Sequence, residues 1–144
     1  MAAKKSDKLY AVIDIETTGG LPKRDKITEI AIILYDGHKE VGSFTSLINP
    51  ERSIPPEITR ITGITSTMVQ DAPKFYEIAK TIVEMTEGAI FVAHNVSFDY
   101  NFLREEFAHL GYTYSRKQLC TVKLARKAFP GLKSYALGAL INHF

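Results

Sequence analysis

Two carboxylates one residue apart close an apolar run. Asp14 and Glu16 end the stretch Leu9 to Gly20, LYAVIDIETTGG. Side chains alternate along a strand, so Asp14 and Glu16 share one face while Ile13 and Ile15 take the other. Two like charges that close repel, and unless a cation lies between them one carboxylate takes up a proton. The pair therefore suggests a divalent metal site. The plainer alternative is a strand running into a polar turn, with Glu16 and Thr17 solvated. A second chemical stretch is His94-Asn95-Val96-Ser97-Phe98-Asp99. Ser97 reads as a helix N-cap, which puts Asp99 in the first turn, where the helix dipole favours its charge. A lone Asp there needs no other role, but the position just beyond a strand's carboxyl end is also where α/β sheets place ligands. His94 and Phe98 flank it.

The elements that must position these groups follow from periodicity. Ile27 to Tyr35 is apolar and β-branched, a second strand, and Asp36-Gly37 turns it into a third over Val41 to Ile48, giving an antiparallel meander. Glu29 interrupts the second strand, either as an outer partner of a metal site or as a group bonded to nearby backbone. Pro55-Pro56 precedes a short helix, Glu57 to Ile61. Gly63, after Thr62, either lets backbone approach a ligand closely or caps that helix. Phe75, Ile78, Ala79, Ile82, Val83 and Met85 recur at helical intervals within Pro73 to Thr86, and Ala89 to Ala93 is a strand expected to run parallel to a neighbour. A helix over Phe98 to Leu110 turns Phe102, Leu103, Phe107 and Leu110 to the core. Leu119-Cys120-Thr121 ends a last strand. A helix over Thr121 to Phe129 and another over Tyr135 to Phe144, capped by Ser134, follow. Arg116, Lys117, Lys123, Arg126, Lys127 and Lys133 cluster in this last third, as a phosphate-facing surface or as ordinary solvated helix faces.

At 144 residues, 45% hydrophobic and 24% charged, the chain is expected to form one α/β domain over residues 9–144 behind a flexible stretch, 1–8. A net charge of +2 permits a nucleic-acid partner without arguing for one. Cys120 is the only cysteine, which excludes an intrachain disulfide framework. No segment reads as a signal peptide or a membrane span, so a cytoplasmic protein is the expectation.

Asp14-Ile15-Glu16-Thr17-Thr18-Gly19 together with His94-Asn95-Val96-Ser97-Phe98-Asp99 resembles the DEDD exonucleases, in particular the branch that contains the proofreading epsilon subunit of bacterial DNA polymerase III. Thr62-Gly63-Ile64, Phe129-Pro130-Gly131, Ser134 and Leu137 also look like that branch, and the resemblance runs from Tyr10 onward. It implies a ribonuclease-H-like mixed sheet flanked by helices, and hydrolysis of nucleic acid from a single-stranded or frayed 3′ end to nucleoside monophosphates with two Mg²⁺ or Mn²⁺ ions. By the same comparison Asp14 bridges both metals, Glu16 binds one and reaches the 3′-hydroxyl, and Asp99 holds the second. Ile15, Thr17, Thr18, Gly19, Thr62, Gly63, His94, Asn95 and Phe98 line the terminal nucleotide. Two metals roughly 3.5–4 Å apart suit in-line attack by water, and hard cations call for carboxylate oxygens. DNA is the expected substrate ahead of RNA, although the residues themselves do not separate the two. A replicative polymerase or fused nuclease domains are the implied partners.

The family completes its site with a third motif, a His followed one helical turn later by an Asp, shortly after the segment resembling Ser134 to Phe144. The chain stops there. His143 falls too early and has no Asp after it, so residues 1–144 are expected to lack the family's last helix and much of its activity. The alternative from the binding class is a non-catalytic nucleic-acid-end or polymerase-docking module. A haloacid-dehalogenase-type phosphatase, with Asp14 as nucleophile, fits Glu16 and His94-Asn95 poorly.

Overall fold

The structure, a computed structural model, describes residues 8–144. The flexible stretch expected over 1–8 lies, apart from Lys8, outside the described residues. The elements are β1 (Leu9–Thr17), β2 (Ile27–Tyr35), β3 (Glu40–Leu47), α1 (Pro56–Thr62), α2 (Ser66–Val69), α3 (Phe75–Thr86), β4 (Ala89–Ala93), α4 (Val96–His109), β5 (Gln118–Cys120), α5 (Thr121–Ala128) and α6 (Leu137–His143). They build one sheet in the order β3-β2-β1-β4-β5. β1 is antiparallel to β2, and β2 to β3, whereas β1 with β4 and β4 with β5 are parallel. This is the meander plus parallel strands that the sequence patterns demand.

Alternation on β1 sends Ala11, Ile13 and Ile15 into the core, where they meet Ile30 and Ile32 of β2, Phe91 of β4, and Ile78, Ile82, Phe102, Leu103 and Phe107 from α3 and α4. Phe107 anchors this layer. Its ring meets Phe75 edge-on at 5.0 Å and stacks on Tyr114 at 4.7 Å, contacts worth about 0.5–1.5 kcal/mol each beyond their burial. On the opposite face of the sheet Val12 and its cross-strand partner Ile33 stay exposed. A smaller core of Ile54, Ile64 and Val69 holds α1 and α2.

Several local expectations are corrected. Asn95, not Ser97, caps α4, with φ 68°, a left-handed conformation Asn tolerates better than most residues; it turns the chain sharply from β4 into the helix. Leu110 sits at the C-cap of α4 and is exposed, beyond the reach of the core. Ser134 accepts the Ala136 N–H at 3.3 Å, but α6 begins only at Leu137, because Tyr135 is held outside the helix by bonds from its hydroxyl to the Phe129 carbonyl and from His94 to its own carbonyl. Arg116 does not belong to a phosphate-facing surface. Its guanidinium donates to the Thr86 carbonyl at 3.0 Å and the Val83 carbonyl at 3.2 Å, closing the end of α3, and lies over the Tyr114 ring.

Candidate active site

The site grows out of a difference in strand length. β1 pairs with β2 as far as Thr17 opposite Ile27, but with β4 only as far as Val12 opposite Val92. Beyond Val12 the β4 side of β1 is therefore without a strand, and a backbone donor there needs another acceptor. Asp99, in the first turn of α4, supplies one: its Oδ2 accepts the Ile15 N–H at 3.2 Å. Ile15 thus serves through its backbone, while its side chain stays in the core. Asp14 stands exposed and Glu16 half-buried on the face away from Ile13 and Ile15, as alternation requires.

The electrostatics couple these groups. Asp99 is 5% exposed, and its burial, then the charge of Asp14 and more weakly that of Glu16, push its carboxyl up to about 7 against the pull of the Ile15 N–H and its own backbone N–H. Glu16 is also raised, first by burial, then by Asp14, then by Glu29. Glu29 stands directly across from Glu16 in the β1–β2 register. Its place in the second strand is thereby explained as part of an acidic face. Among the described residues no group of three or more His, Cys, Asp or Glu is arranged to hold a metal ion as it stands. The donor set nonetheless fits a hard divalent cation: carboxylate oxygens only, crowded until two of them hold their protons more tightly than usual.

The strip after Glu16 is tightly tied. Thr17 Oγ1 donates to the Gly19 carbonyl at 2.6 Å, and Thr18 and Lys26 exchange backbone and hydroxyl bonds at 2.8 and 3.0 Å. Asp25 accepts from Thr18 Oγ1 at 3.3 Å and from the Leu21 N–H at 2.9 Å. A Cβ on Gly19 would lie 2.5 Å from Asp25 Oδ2, so close approach rather than backbone freedom demands glycine here.

Behind Asp99, His94 is wired at both ring nitrogens. Nε2 lies 2.6 Å from the Tyr135 carbonyl, which makes it the donor, and Nδ1 lies 2.8 Å from Thr121 Oγ1. With Asn95, Arg126, Lys133 and Tyr135 it lines an open groove of about 680 Å³. Phe98 is half-buried, its ring 4.9 Å from that of Phe102. Thr62 and Gly63 are not brought to the carboxylates by any described hydrogen bond. Gly63, at φ 77°, donates to the Thr59 carbonyl as the left-handed cap of α1, and Thr62 Oγ1 accepts the Ile64 N–H. The helix-cap alternative is thus the role the structure shows for Gly63.

Two residues escaped the sequence reading. Asp25 carries no motif beyond its place behind a Gly-Gly loop. Glu106, only 6% exposed, was recognisable in principle by its spacing seven residues after Asp99, which puts both on one face of α4.

A mixed five-stranded sheet with carboxylates gathered where β1 outruns β4 describes a nuclease class, and sequence comparison agrees. The chain belongs to an exonuclease family, whose model (RNase_T, exonuclease) matches residues 11–144. This family generally uses divalent metals. The chain is 42% identical over 133 residues to the 3′-5′ exonuclease DinG of Staphylococcus saprophyticus, covering 91% of this chain and 15% of that protein. It is 38% identical to the PolC-type DNA polymerase III of Caldanaerobacter subterraneus, covering 94% of this chain and 10% of that one. It therefore spans only a small part of these relatives. Among solved structures, exonuclease X in complex with 5′ overhanging duplex DNA is 32% identical with a TM-score of 0.72, covering 93% of this chain and 72% of that one. Exonuclease I, at 21% identity and a TM-score of 0.84 over 96% of this chain and 36% of that one, shares the fold. No helix among the described residues is long and apolar enough to cross a membrane.

Proposed function

We propose that residues 9–144 form the catalytic domain of a metal-dependent 3′-to-5′ exonuclease that removes mononucleotides from a single-stranded or frayed DNA end, with RNA as the lesser substrate. The observation that carries this reading is the placement of Asp99 against the Ile15 backbone, within the electrostatic reach of Asp14 and Glu16. Asp14, Glu16 and Asp99 would hold the Mg²⁺ or Mn²⁺ ions, two in the complete site. Bound there, such ions supply Lewis-acid activation of water and charge stabilisation at the leaving oxygen. The chain's own residues bind and orient. The tied strip Thr17 to Gly19 offers a rigid wall beside Glu16, Phe98 a ring for a terminal sugar or base, and His94 and Asn95 the edge of the basic groove. The PolC-type relative supports a polymerase as a partner, the exonuclease X complex supports DNA as substrate, and a lone cysteine suits a cytoplasmic setting.

The alternative is a non-catalytic nucleic-acid-end or polymerase-docking module that uses the same cleft without turnover. One experiment separates them. A 5′-labelled and a 3′-labelled oligonucleotide are incubated with residues 1–144 and with a polypeptide extended to include the third motif that the resemblance implies. Stepwise shortening from the 3′ end by the extended polypeptide, abolished by chelator and by Asp14→Asn, supports the enzyme. Tight end-binding with no chelator-sensitive release by either polypeptide overturns it.

A further inference from the structure

The proposed catalytic set leaves one buried carboxylate unused. Glu106 lies 6% exposed in the last turn of α4, two helical turns after Asp99. Seven residues advance the helix by almost two full turns, so the two side chains leave the same face, about 10 Å apart along the axis. Both do the same thing. Asp99 accepts the Ile15 N–H of β1 at 3.2 Å, and Glu106 Oε2 accepts the Ile27 N–H at the start of β2, also at 3.2 Å. The other oxygen, Oε1, pairs with Lys26 Nζ at 3.0 Å, and Lys26 in turn lies 3.2 Å from His109 Nδ1, one turn further along α4. Lys26 is also the residue whose backbone closes the loop after Glu16 onto Thr18.

The two attachments fall at matching places. Ile27 is the partner of Thr17 where the β1–β2 register shifts, just past Glu16. The chain Thr18, Lys26, Glu106 therefore joins the end of β1 that carries Glu16 to the helix that carries Asp99. A helix attached at one point can pivot about it; attached at two points on one face, it cannot. The one further polar contact between α4 and this edge among the described residues, Lys26 with His109, belongs to the same attachment, and the rest of the α4 face toward the sheet is Phe102, Leu103 and Phe107, apolar groups that resist separation more than sliding.

We propose that Glu106 is a positioning residue for Asp99: through its bonds to the Ile27 N–H and Lys26 it fixes the rotation of α4 and so sets the Asp99 carboxylate against β1 beside Asp14 and Glu16. This rests on the exonuclease reading only for its catalytic meaning, since the two-point attachment itself is testable without metal or substrate.

The test uses residues 1–144 as wild type, Glu106→Ala, Glu106→Gln, and Leu103→Ala, a core truncation in the same helix. Amide exchange and the Ile15 amide resonance are followed by NMR without metal, and Mn²⁺ binding is then titrated by calorimetry. Glu106→Ala is expected to speed Ile15 exchange at least about tenfold more than its loss of global stability accounts for. Glu106→Gln, which keeps an acceptor for Ile27, is expected to restore most of the Ile15 protection, and Leu103→Ala to change Ile15 only as far as global stability falls. Mn²⁺ binding is expected to weaken about tenfold in Glu106→Ala and less in Glu106→Gln. If the Ile15 amide responds identically to Glu106→Ala and Leu103→Ala, or not to Glu106→Ala at all, the positioning role is wrong. If wild type binds no Mn²⁺ but Ile15 follows the expected order, the attachment stands and what fails is metal binding by Asp14, Glu16 and Asp99 within residues 1–144 alone. Should Glu106→Ala not fold, Glu106→Gln and Lys26→Met decide: both keep an acceptor at Ile27 and lose the ion pair, so both are expected to speed Ile15 exchange by a small and matching amount beyond their loss of global stability, and an Ile15 amide indifferent to both overturns the link.

Discussion

Asp99 is held in conflict. Its fold-raised carboxyl, about 7 against an ordinary value near 3.8, means the native chain binds this proton more tightly than the unfolded one. The associated stability is fully present below pH 3.8 and is lost as pH rises through about 7, an effect on the order of 4 kcal/mol for a shift of that size. Metal-free wild type should therefore lose urea stability between pH 4 and 8. Asp99→Asn, which keeps an oxygen for the Ile15 N–H but cannot ionise, should decline much less over that window, the remainder coming from Glu16, whose carboxyl is also raised, as urea midpoints at the two pH values will show. An equal decline in both proteins would mean that Asp99 is not the source. A second residue is constrained by volume. Gly19→Ala would drive a methyl into Asp25, which cannot retreat without giving up its bonds to Thr18 and Leu21. A loss of about 1–3 kcal/mol is expected in the urea midpoint, and adding Asp25→Ala should relieve the clash without recovering the wild-type value, because the loop bonds go with it.

At the level of elements, α4 brings its first turn to the site and its remaining face to the core, and Phe98 lies on the boundary between those tasks. Half-buried against Phe102, it is expected to contribute stacking of order 1–3 kcal/mol to a terminal base. Phe98→Ala should thus weaken binding of single-stranded ends irrespective of sequence in a fluorescence titration. Unchanged affinity would return Phe98 to the core. Much of this arrangement was legible in the chain itself: β2 runs over the very residues its β-branched run marks, β4 likewise, and the period-two alternation of β1 puts Asp14 and Glu16 where they are found. What escaped is instructive. Asn95 outcompeted Ser97 as cap because the chain must reverse sharply out of β4, a tertiary demand that capping preferences do not register. Asp25 escaped because it acts on a loop N–H that no local pattern marks, and Glu106 because its spacing from Asp99 gives a shared helix face but not the partner it meets across 79 residues. Thr62 and Gly63 look like site residues by resemblance, yet their described bonds are those of an ordinary helix end.

For the whole molecule, stability is unevenly spread. The sheet and α3–α4 share one aromatic and aliphatic core, whereas α5 and α6 contain no buried residue and leave Leu124, Phe129, Leu137, Ile141 and Phe144 exposed. The described bonds tying them back are few, chiefly His94 to Thr121 and Tyr135. Amides of Leu137–His143 are accordingly expected to exchange about 100-fold or more faster than those of β1, and His94→Ala to widen that gap while sparing β1; equal protection across the chain would show that α6 folds as one unit with the core. The Ile15 N–H, left without a strand beside it, carries a consequence for descent. Any copy of this gene released from selection for activity still has to satisfy that donor, so its fold tolerates Asp99→Asn far better than Asp99→Ala or Asp99→Val. Idle descendants should accumulate as Asp99→Asn forms that remain folded and abundant, inheriting the shape of a nuclease after its chemistry has lapsed.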